Sequence, residues 1–177
     1  FPFSGSQTRF VFSKKIPLNP SSKEFPALIL ANHILGEMAI SNLLNDHLRE
    51  KKGWVYSINS TIKITDDFCV LLISGQTRRP HPETFVNDIQ SVIKTLNHGQ
   101  VSREYFNRAK SNLVIHLTFN DSNTAKLFSM KQFLDTNLPL DYDIQMIEAI
   151  KKLTLEDVAN VSQYFLSDQY YAVYVGK

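Results

Sequence analysis

At Gly53 the hydrophobic pattern of this chain changes period, and no other feature narrows the available folds as much. Before it, Leu43, Leu44, His47 and Leu48 follow Ile40 at i+3, i+4, i+7 and i+8, the stripe of an amphipathic helix. Lys51-Lys52-Gly53 then sets two cations at a helix C-terminus, ahead of a residue free to turn left-handed. After it, Tyr56, Ile58, Ile62 and Ile64 alternate with Ser57, Asn59, Thr61 and Lys63, a strand with one buried and one wetter face. Asp66-Asp67 makes a turn, and Phe68 to Ile73 is a continuous apolar strand, predicted to lie centrally and to pair with its predecessor as a hairpin.

The flanking segments complete an α+β order. Arg9 to Ile16 reads as a first strand closed by Pro17 and the turn-rich Asn19-Pro20-Ser21-Ser22. Phe25, Leu28, Ile29 and Leu35 predict a helix ending near Gly36. Five helical patterns follow the hairpin: one from Pro82 to Gly99, one capped by Ser102, one over about 124–134, one over about 142–152, and one opened by the capping-box-like Thr154-Leu155-Glu156-Asp157. Tyr170 to Val175 is a terminal strand. Adjacent strands and segregated helices predict an antiparallel-rich sheet of about four strands with a helical layer on one face. With no repeat, low-complexity tract or interior linker, the 177 residues form one domain.

Composition removes several function classes. Hydrophobic residues make up 43% and charged residues 20%, a globular and not a disordered balance. Nineteen basic against 17 acidic residues leave a net charge of +2, too even for a nucleic-acid footprint. Apolar runs of about six residues are far short of the ~20 that span a bilayer. No signal-type segment opens the chain, which reads as a piece cut from something longer.

Candidate chemistry is sparse. Among His33, His47, His81, His98 and His116 there is no pair at i, i+3 or i+4, so no helix face presents two imidazoles to a metal. His47-Leu48-Arg49-Glu50-Lys51 misses the H-x-x-E-H zinc motif because Lys51 stands where the second ligand belongs. His81-Pro82-Glu83 has the first half of a deaminase signature without the C-x-x-C that completes it. The one cysteine, Cys69, sits in the most apolar strand, where a thiol is inert filler. Residue chemistry by itself yields no enzyme.

One stretch is more specific. Leu48-Arg49-Glu50-Lys51-Lys52-Gly53-Trp54-Val55-Tyr56-Ser57 resembles the L-R-E-K-x-G-x-x-Y segment of the pitrilysin/insulysin zinc metallopeptidases, which include the mitochondrial processing peptidases. Phe25 to Gly36, Ser102 to Lys110, Leu153 to Val158 and Tyr171 to Gly176 resemble further family segments in the family's order, so the resemblance covers nearly the whole chain. It implies the C-terminal half-unit of a clamshell: a domain that binds no metal or other cofactor itself, while zinc sits in the complete enzyme. The implied partners are the N-terminal half-unit of the same chain, a second homologous unit and a peptide substrate. Self-association of the isolated fragment is expected as well, and no membrane span. Family habit points to a bacterial periplasmic or membrane-associated extracytoplasmic location, with the mitochondrial matrix as the alternative.

The resemblance also implies that Arg49 and Tyr56, seven residues apart, reach the zinc site of another unit to hold substrate and stabilise the transition state. Arg offers a permanently charged donor fork suited to a carbonyl or developing oxyanion, and Tyr one neutral donor. Against this, Arg49 is an ordinary helix-terminal cation and Tyr56 a core residue on the strand's apolar face. The family's glycine-rich turn is reduced to Gly36, followed by Glu37-Met38-Ala39, and its small-Arg-Leu is Ser41-Asn42-Leu43. Two roles stand open: a helper half of a peptidase, or an inactive structural subunit on the same fold.

Overall fold

A computed structural model describes residues 7–176 except 40, 66, 79–80, 120–126, 128–129, 132, 136 and 168–169. Four strands, β1 (Thr8–Ile16), β2 (Ser57–Ile64), β3 (Cys69–Thr77) and β4 (Tyr171–Val175), form one sheet in the order β2-β3-β1-β4. Every neighbouring pair is antiparallel. The expected hairpin is β2–β3, and β3 is internal as its apolar run predicts. Ile40 and Asp66, and with them part of the predicted stripe and turn, lie outside the described residues.

Period two assigns the two faces. Phe10, Phe12, Ile16, Ile58, Cys69, Leu71 and Ile73 are all buried and join helix residues in one core. Val11, Tyr171, Val173 and Val175 point the other way and are exposed. The helices therefore cover one face, as the segregated pattern requires. They are α1 (Phe25–Asn32), α2 (Val86–Asn97), α3 (Arg103–Phe119), α4 (Tyr142–Lys152) and α5 (Leu155–Ser162). A single 3₁₀ turn, Pro82–Phe85, leads into α2, and Thr154 and Asp157 form the predicted capping box at the start of α5. Ser102 Oγ caps α3 by accepting from the Tyr105 amide at 3.1 Å. The predicted helix over 124–134 falls largely outside the described residues.

Two departures from the expected elements matter for the site. The first helix continues past Asn32 as a π-helical turn, π1 (His33–Glu37), whose closing bond runs from the Met38 amide to the His33 carbonyl, five residues back. The stripe predicted from Ile40 to Leu48 is likewise π-helical over π2 (Asn45–Lys51). Leu44 and Leu48 are still fully buried, so the wider turn keeps the apolar side facing the core. On β2 the expected buried face is shorter than predicted. Ile58 and Ser60 are buried, but Ile64 at the far end is 37% exposed, and Tyr56, just ahead of the strand, is 69% exposed although Val55 before it is buried in the core.

Candidate functional site

The predicted site residues stand on either side of the turn that joins π2 to β2, Arg49 within π2 and Tyr56 just ahead of β2. The start of π2 is anchored by Asn42, 1% exposed, whose Oδ1 accepts from the Asn45 amide at 2.8 Å while Nδ2 donates to the Met38 carbonyl at 2.8 Å. Ser41, just before it, is left-handed at φ 61°, and the Tyr105 hydroxyl donates to its carbonyl. At the other end Gly53, at φ 60°, turns the chain out of π2. Its amide bonds the Arg49 carbonyl at 2.9 Å, and the Trp54 amide reaches back to Leu48 at 2.9 Å. That last bond spans six residues, one more than an α-helical Schellman closing, in keeping with the π register.

Arg49 and Tyr56 flank this turn and both open to solvent. The Arg49 side chain is 53% exposed, with Nε 3.5 Å from Glu50 Oε1, an exposed pair of little energetic weight. The Tyr56 amide is tied to the Gln76 carbonyl at 2.8 Å, so its backbone belongs to the sheet while its ring projects outward. Tyr56 is therefore not a core residue, which removes the bland reading that packing alone accounts for it. No hydrogen bond between Arg49 and Tyr56 exists in the structure's described contacts, and neither lines the cavity of about 420 Å³ between Pro26, Leu138 and Tyr142. The donors sit on an open surface.

A carboxylate that the sequence did not single out holds this turn from outside. Asp88, on the first turn of α2, accepts from His47 Nε2 at 3.1 Å and pairs with the Lys52 ammonium. Burial pushes the Asp88 carboxyl up, but the hydrogen bonds from Lys52 and His47 and their charges outweigh it and hold it below its ordinary value. The Lys52 ammonium also lies 4.2 Å from the Trp54 ring centroid, and Trp54 stacks on the buried Phe85 with centroids 5.6 Å apart. Nothing in the sequence marked Asp88, because its partners lie 36 and 41 residues away.

Two other histidines make contacts within the fold. His33 is buried and bonds Asn112 Oδ1 at 2.9 Å, and His81 pairs with Glu83 at 2.9 Å. His47 is engaged by Asp88 and not set toward Glu50 or Lys51. Among the described residues no group of three His, Cys, Asp or Glu side chains could hold a metal ion. Burial pushes the Cys69 thiol up to about 11, consistent with inert filler.

Residues 4–113, more than half of the chain and including Arg49, Tyr56 and Asp88, match the Peptidase M16 inactive domain. The chain belongs to that family. Solved structures share the fold of this M16 inactive domain. The peptidase M16 inactive domain from Pseudomonas fluorescens superposes with a TM-score of 0.84 at 24% identity, over 99% of this chain and 41% of the other. The inactive peptidase domain of a candidate zinc protease from Bordetella parapertussis gives 0.80 at 14%, over 99% and 95%. The periplasmic protease PqqL from Escherichia coli gives 0.73 at 16%, over 98% and 19%. This M16 inactive domain thus spans well under half of the Pseudomonas and Escherichia chains. Among curated proteins no sequence matches it significantly. A domain described as inactive carries no catalytic zinc, and no described helix is long and apolar enough to cross a membrane.

Proposed function

We propose that this domain is the non-metal half-unit of a zinc peptidase, presenting Arg49 and Tyr56 to a peptide held at a zinc site in another half-unit. The observation that carries the reading is the setting of Tyr56: its amide is tied to the Gln76 carbonyl at the edge of the β2–β3 hairpin, yet the residue is 69% exposed. A rigidly based, outward donor is what stabilisation of a developing oxyanion needs, since a preset donor does not reorganise as charge appears. Arg49, set on a π-helical segment of the kind that recurs at functional sites, supplies a charged fork from the other side of the turn. Because both donors open to solvent, the reading requires a second body to close over them.

The same logic gives the partners. The outer sheet face exposes Val11, Tyr171, Val173 and Val175, apolar area that suits pairing with a zinc-bearing half-unit or, in isolation, with another copy of this chain. The domain is one half-unit of a longer peptidase chain in this reading. An extracytoplasmic bacterial setting goes with it, in line with the periplasmic relative.

The deciding experiment measures peptide hydrolysis by this domain combined with its zinc-bearing half-unit. Tyr56→Phe keeps the ring and deletes the donor, so kcat is expected to fall on the order of 10²–10³-fold with zinc content and folding unchanged. Arg49→Lys keeps the charge and loses the fork, and is expected to be nearly as harmful. Turnover within about twofold of wild type for both variants would leave the domain a scaffold.

A further inference from the structure

We propose that Asp88 is a positioning residue that fixes the turn bearing Arg49 and Tyr56, by gripping His47 and Lys52 on either side of Arg49. The idea deepens the function proposed above and rests on it only for what the turn is used for. The grip itself stands on geometry.

His47 lies two residues before Arg49 and Lys52 three residues after it, and both donate to the same oxygen, Asp88 Oδ1. Since a carboxylate only accepts, His47 must present an Nε2–H there, which also fixes the orientation of its ring. The Asp88 side chain is 17% exposed, and charge-assisted bonds from two donors converge on one of its oxygens. It stands on α2, whose Ile89, Val92, Ile93 and Leu96 are buried in the core, so the acceptor is carried by a rigid element. Leu48, beside Arg49, is buried in the core, whereas the Arg49 side chain itself is 53% exposed and pairs with the exposed Glu50, so the carboxylate acts on the polar side of the segment that the core does not hold.

The grip passes on to Tyr56 through an aromatic chain. Lys52, held by Asp88, caps one side of the Trp54 indole, and Phe85, fully buried at the entry to α2, stacks with it. The Thr77 hydroxyl donates to the Trp54 carbonyl at 2.7 Å, and the next-but-one amide, that of Tyr56, bonds Gln76. Arg49 and Tyr56 thus leave the two ends of one loop that α2 holds at its middle. Loss of the carboxylate charge would leave Lys52 and His47 in place but no longer commit them to one geometry.

Trp54 is the chain's single tryptophan, so its emission reports this turn alone. The experiment compares wild type, Asp88→Asn, Asp88→Glu, Lys52→Met and, as a remote destabilising control, Thr154→Ala, reading Trp54 quenching by acrylamide and amide exchange. In Asp88→Asn the Gly53, Trp54 and Tyr56 amides are expected to exchange about tenfold faster, with greater Trp54 quenching and no change in the β1–β3 ladder. Asp88→Glu restores most of the protection, and Lys52→Met shows the same local signature should Asp88→Asn fold poorly. Thr154→Ala leaves the turn as in wild type. Combined with the zinc-bearing half-unit, Asp88→Asn is expected to lower kcat about tenfold with KM little changed. Unchanged exchange at those three amides in both Asp88→Asn and Lys52→Met, or equal acceleration throughout the domain, overturns the grip. If Tyr56→Phe proves harmless while the exchange result holds, the catalytic reading fails and the grip survives.

Discussion

Gly36 is the remaining glycine of a turn that is glycine-rich in the pitrilysin/insulysin pattern, and the structure shows what removing it would do. A Cβ built there would lie 2.6 Å from the Ser60 backbone nitrogen, 2.6 Å from Ser60 Oγ and 2.9 Å from Leu44 Cδ1. All three are far inside van der Waals contact, and the nitrogen belongs to β2, which is hydrogen-bonded along its length to β3. The backbone therefore cannot yield without prying π1 from the sheet. Overpacking a fitted core costs typically 1–3 kcal/mol, and with a backbone atom in the way Gly36→Ala belongs at about 2–3 kcal/mol. For a domain of this size that lowers the melting temperature by roughly 4–12 °C. Gly99→Ala is the matched control: Gly99 is left-handed at φ 64° with open space around a built Cβ, so only the backbone penalty of about 1 kcal/mol applies. Ser60→Ala in the Gly36→Ala background separates the two contacts. It removes Oγ but not the nitrogen, and it also deletes the buried bond from Ser60 Oγ to the Asn32 carbonyl, so no rescue is expected. Thermal unfolding followed by circular dichroism would refute the reasoning if Gly36→Ala melted within 1 °C of wild type, or no lower than Gly99→Ala.

Other outcomes follow from the same structure. Cys69, raised to about 11 by burial, is expected to stay unmodified by a thiol-specific disulfide reagent at pH 8 and to react at once in urea; rapid labelling of the native chain would contradict its burial. The Asp88 carboxyl is held below its ordinary value, so its ion pairs stabilise the fold above the usual carboxylate range near pH 4 and the contribution disappears as pH falls through the lower folded value. The stability gap between wild type and Asp88→Asn, measured by urea melts, should accordingly be largest near pH 7 and shrink toward pH 3. Thr154→Ala removes the hydroxyl that caps α5 and bonds Asp157, costing about 1 kcal/mol in the same melts, with no effect expected if the capping box were incidental.

The sheet was legible because period two and turn chemistry act locally. Each strand announces itself within its own few residues, and the β2–β3 pairing needs only a short turn. Registers inside helices were not legible. Leu44 and Leu48, four residues apart, are buried alike by an α- or a π-turn, so the apolar stripe is blind to the extra residue that π2 accommodates. What distinguishes the π register is the reach of backbone bonds, five residues instead of four, and backbone bonds leave no residue type behind.

Tyr56 shows a second limit with more consequence for function. Alternation placed it on the same side of β2 as Ile58, but Val55 and Ile58 are both buried in the core while Tyr56 and Ser57 between them are exposed, so strict alternation does not reach back to Tyr56. The Tyr56 amide bonds the carbonyl of Gln76, which is also the partner of Ser57, so two residues oppose one there in the manner of a β-bulge. Ile58 joins the core and is 2% exposed, as is Val55 at 6%, whereas Tyr56 between them is 69% exposed. Where alternation breaks is decided by pairing across the hairpin with Gln76, and no residue type in the segment itself marks it. Asp88 is the same problem from the other side: one of 17 carboxylates, distinguished only by what α2 brings it against. Residues that position a site through such nonlocal contacts carry no motif, so they emerge only when the fold is in hand. That is why the resemblance could point to Arg49 and Tyr56 while the group that holds them stayed unmarked.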